Sequence, residues 1–169
     1  LFPELGYDQY EGLWVKAKLG FGKDTYYYGY YQVNYFTRVG LGLGYVGFYA
    51  KKNGRRFANV NIYGIHDRRT GATTYNINAS EQENISPALR ANFQVNYQSN
   101  YGQLTNVPVN SNFSTQVIHQ TPHSTQDYSY SHSAVGSQSS SDAFAFTDTN
   151  QLTATLSQSE NFALSRSES

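Results

Sequence analysis

A glycine string is the first feature of this chain whose residue types and spacing could do chemistry. Gly42-Leu43-Gly44-Tyr45-Val46-Gly47 matches the G-x-G-x-x-G pattern with which dinucleotide-binding proteins hold a pyrophosphate. That chemistry requires the glycines to form a turn between a strand and a helix, so that the phosphate meets the start of the helix. Here the glycines fall inside a period-two alternation and no helical pattern follows. We therefore interpret them as strand residues that let another group approach closely, and we predict no cofactor.

A dense cluster of positive charge lies at a turn signal. In Lys51-Lys52-Asn53-Gly54-Arg55-Arg56 the central Asn-Gly pair is typical of a two-residue type I′ hairpin turn. The side chains of Lys51, Lys52, Arg55 and Arg56 could pair with the phosphates of lipopolysaccharide through charge-assisted hydrogen bonds. The alternative is a solvated loop that keeps the strand ends in water, and both interpretations stay open.

The remaining polar clusters do not predict catalysis. His66-Asp67-Arg68-Arg69 contains an acid and a base, but neighbouring residues of a strand point apart and no positioned nucleophile accompanies them, so we predict a turn. His119, His123 and His132 do not have the spacing of a metal site. We predict no catalytic residue, no metal and no enzymatic activity.

The composition narrows the class of protein. The 169 residues have a formal net charge of zero, which gives no reason to expect nucleic acid, and they include no cysteine for disulfides or thiol catalysis. Charged residues are 14% of the chain, against roughly a quarter in a typical soluble domain. The mean hydropathy of −0.60 and the lack of a long apolar run exclude a helical membrane protein. The chain also lacks methionine, so we expect it to be a fragment.

Strands with two different faces are the elements that must position these residues. From 89 to 98, polar residues alternate without a break with Leu89, Ala91, Phe93, Val95 and Tyr97. Successive side chains of a strand point to opposite sides, so this pattern predicts one apolar and one polar face. Similar alternation predicts strands at 12–21, 26–36, 40–50, 57–66 and 73–80, and weaker strands at 113–119, 127–133, 143–147, 151–157 and 161–167.

Together these strands predict an all-β protein of antiparallel, up-and-down strands, as part of a transmembrane outer-membrane β-barrel. Tilted strands of about 9–11 residues cross a bilayer, and half of each strand is polar, which explains the low mean hydropathy. We expect residues 1–169 to form a single partial barrel domain. Within it, residues 1–98 hold strongly alternating, aromatic-rich strands, and residues 111–169 hold weaker strands rich in Ser, Thr, Asn and Gln.

The alternation also assigns side chains to the two sides of the predicted wall. We expect the lumen to be lined by Lys16, Lys18, Gln32, Asn34, Arg90, Asn92, Gln94 and Asn96. We expect lipid to contact Leu13, Val15, Leu19, Leu41, Leu43, Leu89, Phe93, Val95 and Tyr97. The lumen row could hydrate an amphipathic or phosphorylated cargo, or simply keep the barrel interior wet, and both interpretations stay open.

Three stretches of the chain resemble a known family. Phe2-Pro3-Glu4-Leu5-Gly6-Tyr7, followed by Tyr10-Glu11-Gly12-Leu13, resembles the first barrel strand of the LPS-assembly outer-membrane proteins, the LptD or organic-solvent-tolerance family. Residues 35–44 look like that family's second hairpin, a turn with a basic residue leading into a strand rich in Gly and Leu. Ile65-His66-Asp67-Arg68 is similar to a later turn with an Asp-Arg pair. The resemblance covers roughly residues 1 to 100.

This resemblance implies an early barrel segment in the outer membrane of a Gram-negative-type bacterium, which moves lipopolysaccharide or a related glycolipid to the outer leaflet without covalent chemistry. It implies outer-membrane lipid, a plug lipoprotein and periplasmic bridge components as partners. The chain departs from the family because it has no cysteines for inter-domain disulfides, no jelly-roll segment and no aromatic C-terminal residue. We expect truncation to account for these departures.

Two other classes of protein fit parts of the sequence. A secreted soluble β-sandwich or repetitive adhesin that binds glycan would explain the Ser-rich second half, and it would bury the row from Leu89 to Tyr97 against a second sheet. A general porin-like channel would share the barrel and differ only in cargo.

Overall fold

All described residues that form regular structure belong to antiparallel strands of one sheet. A computed structural model of the protein describes residues 3–51, 53–101, 110–136, 139–151, 153 and 156–168. The strands are β1 (Glu4–Asp8), β2 (Gly12–Asp24), β3 (Tyr27–Phe36), β4 (Gly40–Ala50), β5 (Arg56–Asp67), β6 (Ala72–Ser86), β7 (Leu89–Tyr101), β8 (Asn110–Gln120), β9 (Ser124–Val135), β10 (Ser139–Gln151) and β11 (Ser157–Glu168).

The topology is the predicted up-and-down order. Each strand pairs with its neighbour in the chain, in the order β1 to β11 without a crossover. The sheet is open, because β1 and β11 form its two edges and do not pair with each other. The described residues form no helix that is long and apolar enough to cross a membrane.

The sheet has almost no buried core. Among the described residues, the only buried apolar side chains are those of Phe36, the last residue of β3, and Val39, in the turn before β4. A single layer of strands cannot shield either of its faces, so the side chains of both faces remain largely accessible.

The strand predictions are confirmed over most of the chain, although several strands are longer than predicted and β1 has no counterpart among the alternating segments. The strand predicted at 73–80 continues to Ser86. In this extension the carboxylate of Glu81 accepts a hydrogen bond from Arg56 on β5 (2.5 Å), diagonally across the strand pair. The strand predicted at 151–157 is wrong, because Gln151 at the end of β10 pairs with Ser157 at the start of β11, so the chain between them connects the two strands. Residues 152, 154 and 155 of this segment lie outside the described residues. The backbone amide of Thr153 donates to the carbonyl of Leu156 (3.1 Å) in the turn between these strands.

The turn between β4 and β5 also differs from the prediction. A type I′ turn needs positive φ at both central residues, but only Gly54 has it, at 69°, and no described residue other than glycine does. The amide of Gly54 donates to the carbonyl of Lys51 (2.8 Å), and the amide of Arg55 donates to the side-chain oxygen of Asn53 (3.1 Å). The connection is therefore longer than two residues.

Candidate functional site on the polar face of the sheet

The register of the sheet sorts its side chains onto a polar and an apolar face. Directly opposed residues of an antiparallel pair lie on the same face, so the face of Lys16 can be followed through Asn34 on β3 and onward to Arg90 on β7. All eight residues predicted to line a lumen lie on this polar face. They are Lys16, Lys18, Gln32, Asn34, Arg90, Asn92, Gln94 and Asn96.

The apolar face carries all nine residues predicted to contact lipid. Several of them are widely exposed, with Leu13 at 62% and Leu43 at 55%. A β-sandwich would cover the row that contains Phe93 with a second sheet, but the eleven strands form one sheet and Phe93 is 41% exposed. The full set is Leu13, Val15, Leu19, Leu41, Leu43, Leu89, Phe93, Val95 and Tyr97.

The polar face is the concave side of the sheet. A cavity of about 880 Å³ is lined by residues of the seven consecutive strands β3 to β9. The lining includes two complete cross-strand rows of the polar face, one from Phe48 to Ser131 and one from Phe57 to Ser129. Because one space contacts so many strands on this side, the sheet curves around its polar face and leaves the apolar face convex.

Aromatic rings line one end of this cavity. The rings of Tyr28 and Phe48 stack with their centroids 5.0 Å apart, and Phe57 lies on the next strand. Tyr28 lies on the same face of β3 as Gln32 and Asn34. Aromatic rings on a polar face offer a flat apolar surface to a ligand.

Amide side chains line the other end. The amide of Asn92 donates to the side-chain oxygen of Gln116 (3.1 Å), and Gln116 donates in turn to the carboxylate of Asp127 (2.7 Å). The other carboxylate oxygen of Asp127 is buried and has no hydrogen-bond partner. Sequence reasoning missed Gln116 and Asp127, because only the pairing of β7, β8 and β9 brings them beside Asn92.

The glycine string forms no nucleotide site. Gly42 and Gly44 lie in the middle of β4, and no helix follows them. A Cβ atom at Gly42 would lie 2.9 Å from Cζ of Tyr63, and one at Gly44 would lie 3.1 Å from the same ring. The close approach predicted for these glycines is therefore that of the Tyr63 ring from β5.

The two lysines of the polar face lie against aromatic rings. The ammonium of Lys16 is 4.4 Å from the ring centroid of Trp14 and 5.5 Å from that of Phe36, and the ammonium of Lys18 is 5.3 Å from that of Tyr30. Such cation–π contacts hold the positive charge at the wall of the concave face.

The basic turn does not act as one cluster. Arg56 points to the convex face, where its guanidinium donates to Glu81 (2.5 Å) and lies 5.9 Å from the ring of Tyr49. Arg55 lines a cavity on the concave face instead. Lys51 is exposed in the turn, and Lys52 lies outside the described residues.

The turn after β5 is built by Asp67 and Arg69 rather than by an acid–base pair. The guanidinium of Arg69 donates to both carboxylate oxygens of Asp67 (3.1 and 2.8 Å) and to the carbonyl of Tyr10 in the first turn (3.1 Å). These hydrogen bonds from Arg69 lower the pKa of Asp67, although partial burial opposes the shift. Because Arg69 links two turns, its role is structural.

The histidines are separated on the sheet. His132 contacts the carboxylate of Asp142 (2.8 Å) and His119 lies 3.4 Å from the side-chain oxygen of Gln126, while His123 lies in the turn between β8 and β9. In the part of the chain that the structure describes, no three His, Cys, Asp or Glu residues are grouped so that they could hold a metal ion.

No family model matches the chain, and no curated protein or solved structure matches it either. Its function is therefore inferred from the two faces of the sheet and from the resemblance in its first hundred residues.

Proposed function

We propose that this chain forms part of the wall of an outer-membrane β-barrel in a Gram-negative-type bacterium, and that its polar face guides the head group of lipopolysaccharide or a related glycolipid to the outer leaflet. The chain does no covalent chemistry in this role. One observation carries the proposal: the convex face is apolar and uncovered, while the concave face is polar.

The uncovered convex face favours contact with lipid. Soluble monomers rarely expose contiguous apolar patches of more than a few hundred Å², yet large apolar side chains are exposed on this face from β1 to β11, among them Leu5, Leu19, Tyr31, Phe144 and Phe162. Lipid hydrocarbon in contact with the convex face would shield all of these apolar side chains from water.

The apolar band on the convex face runs obliquely across the strands. The cross-strand row that starts at Leu19 on β2 ends at Glu168 on β11. The apolar residues of β11, Leu164 and Phe162, lie four and six residues before Glu168. With about 3.3 Å per residue and about 4.8 Å per strand, the band shifts by roughly 13–20 Å over roughly 43 Å of sheet. Strands of membrane barrels tilt by about 35–45°, so a lipid-facing band crosses them obliquely. The slope here, roughly 20°, is smaller.

The proposal requires partners for the two edge strands. A bilayer offers no hydrogen bonds to the backbone, so every strand of a spanning sheet must be paired on both sides. Further strands must therefore pair with β1 and β11 and close the wall. The choice of glycolipid as cargo, the plug lipoprotein and the periplasmic bridge rest on the sequence resemblance.

Tryptophan quenching tests the wall. Trp14 is the single tryptophan and lies on the concave face, so a Trp14→Phe background allows one tryptophan to be placed at Leu19 on the convex face or at Lys18 on the concave face. In vesicles with brominated acyl chains, we expect strong quenching of the L19W variant and little quenching of the matched K18W variant. Equal, weak quenching of both would contradict a lipid-facing wall.

Photocrosslinking tests the cargo. A photoreactive amino acid at Gln94 on the concave face should capture lipopolysaccharide in cells, and the same group at Phe93 on the convex face should capture membrane phospholipid instead. If the photoreactive group at Gln94 captures no glycolipid although the L19W variant is quenched, the barrel wall holds and glycolipid is rejected as the cargo.

A further inference from the structure

Two arginines lie on either side of one asparagine at an end of the concave face. Arg56 opposes Glu83, so the preceding Arg55 lies next to Asn84, whose backbone amide donates to the carbonyl of Arg55 (2.6 Å). Asn84 opposes Arg90 on β7. With about 4.8 Å between neighbouring strands, the Cα atoms of the two arginines are about 10 Å apart. Two extended arginine side chains can close on one small anion from this distance.

A cavity lies against this row. Its volume is about 340 Å³, and Arg55, Asn84 and Arg90 line it together with Ser86, Ile118 and Gln120. It is formed where the β4–β5, β6–β7 and β8–β9 connections come together, apart from the larger cavity at the middle of the sheet.

The carboxylates near this cavity are turned away or engaged. Glu81 and Glu83 of β6 lie on the convex face, opposite the side chain of Asn84. Asp127 lies beyond Ile118 in the same row, two strands from Arg90. One of its carboxylate oxygens accepts a hydrogen bond from Gln116 (2.7 Å), the other is buried without a hydrogen-bond partner, and neither forms an ion pair with Arg90. The positive charge of the two arginines is therefore not neutralised by a carboxylate in contact with it.

Most other arginines already have a partner. Arg56 binds Glu81, Arg69 binds Asp67, Arg166 binds Glu168, and Arg38 donates to the carbonyl of Gln9. Within the described part of the chain, the guanidinium groups of Arg55 and Arg90 have no hydrogen-bond or ion-pair partner. Among the described residues Arg68 also has no side-chain hydrogen bond or ion pair, but its guanidinium lies 5.9 Å from the ring centroid of Tyr35. In that same part of the chain, the guanidinium groups of Arg55 and Arg90 have no such contact, and both residues line the same cavity.

We propose that Arg55, Asn84 and Arg90 form a binding site for a phosphomonoester. A guanidinium presents two parallel N–H groups to two phosphate oxygens. Arginines on both sides of one phosphate would therefore bind its oxygens, and the side-chain amide of Asn84, between the two arginines, would donate a further hydrogen bond. This site depends on the concave face alone and not on what contacts the convex face. A phosphate on a glycolipid head group and a soluble sugar phosphate offer it the same chemistry.

Calorimetric titration of the 169-residue chain in zwitterionic micelles tests the site. One arm uses glucose 6-phosphate, with glucose as the uncharged control, and the other uses phosphatidic acid mixed into the micelles. We expect binding in at least one arm, and an affinity at least about tenfold weaker in R55Q and in R90Q, because each loses a charge-assisted bidentate contact. R90K should also bind more weakly, since lysine cannot form that contact. The arm that binds identifies the source of the phosphate.

The matched control is R56Q, which removes a neighbouring charge from the opposite face. It should keep the wild-type affinity, and circular dichroism should show that all four variants are folded. Equal loss in R56Q and R55Q would reveal nonspecific attraction to a basic turn and overturn the site, as would unchanged affinity in R55Q and R90Q or no binding in either arm. If phosphate binds but the L19W variant is not quenched, the phosphate site holds and the barrel wall is rejected. If the L19W variant is quenched but no phosphate binds, only the phosphate site is rejected.

Discussion

The side-chain amide of Asn34 on β3 donates a hydrogen bond to the hydroxyl of Tyr63 on β5 (3.1 Å), across the intervening strand β4. The contact is possible because β4 places Gly42 and Gly44 beneath the Tyr63 ring. Asn34 is only 4% exposed. The glycines that match the G-x-G-x-x-G pattern thus make room for the Tyr63 ring, which packs on the polar face between strands that are not neighbours in the sheet.

Gly42→Ala should therefore destabilise the sheet by about 1–3 kcal/mol, the typical effect of overpacking a fitted site. The added methyl group would overlap the phenol of Tyr63, and Asn34 would lose its partner. Chemical denaturation of the folded chain in micelles, followed by tyrosine and tryptophan emission, measures the change in the free energy of unfolding.

Gly20→Ala is the matched control, because a Cβ at Gly20 meets only the carbonyl of Gly29, at 3.9 Å. Alanine loses less backbone entropy on folding than glycine, so this variant should be as stable as the wild type or more stable by up to about 1 kcal/mol. If Tyr63→Ala fails to relieve the cost of Gly42→Ala, the ring is not its cause.

The contact of Lys16 with Trp14 predicts a specific change in fluorescence. Lys16→Gln should lower stability by about 0.5–1 kcal/mol, the usual size of an exposed cation–π contact, and should shift the emission of Trp14, the single tryptophan of the chain. Lys18→Gln removes a similar contact from Tyr30 and should leave the tryptophan spectrum unchanged. Identical spectra for wild type and Lys16→Gln would contradict the contact.

The turn of Asp67 and Arg69, which lies at the end of β5, predicts a loss of stability in acid. Arg69 lowers the pKa of Asp67 in the folded chain, so this pair contributes stability at pH values above the unfolded pKa of about 3.9. The contribution falls as the pH drops from about 5 through the lower, folded pKa. Asp67→Asn should flatten the dependence of the denaturation midpoint on pH in this window, and Arg69→Gln should have the same effect. A wild-type slope in both variants would show that other carboxylates cause the acid sensitivity.

Local patterns predicted most of the strands and their faces, but not the contacts between strands. The alternation of Leu89 to Gln98 assigns each side chain to a face because successive residues of a strand always point apart. The extension of β6 beyond Ser80 had no such signal, since residues 81–84 put polar side chains on both faces. This part of the strand is defined by its pairing with β5 and β7. The row of Arg55, Asn84 and Arg90 depends on the register of three strands, which no single segment encodes.

The height of the apolar band on the convex face varies along the sheet. On β2 it runs from Leu13 to Phe21, about 26 Å along the strand. On β10 only Phe144 and Phe146 are apolar on this face, and they lie between Asp142 and Asp148. These carboxylates are about 20 Å apart along the strand. Membrane barrels typically have an apolar band of about 25 Å.

A lipid-facing wall of this form predicts a thinner bilayer beside β10 than beside β2, because lipids next to a short apolar band compress to match it. The chain has no cysteine, so single cysteines can carry spin labels without background. Labels at Leu13, Ala17 and Phe21 should all be accessible to oxygen, which partitions into hydrocarbon. On β10, the labels at Phe144 and Phe146 should be accessible to oxygen, and those at Asp142 and Asp148 to a water-soluble nickel chelate. Oxygen accessibility at all four β10 positions would contradict the thinning, and protection of Phe144 and Phe146 from both reagents would show that protein covers this part of the wall.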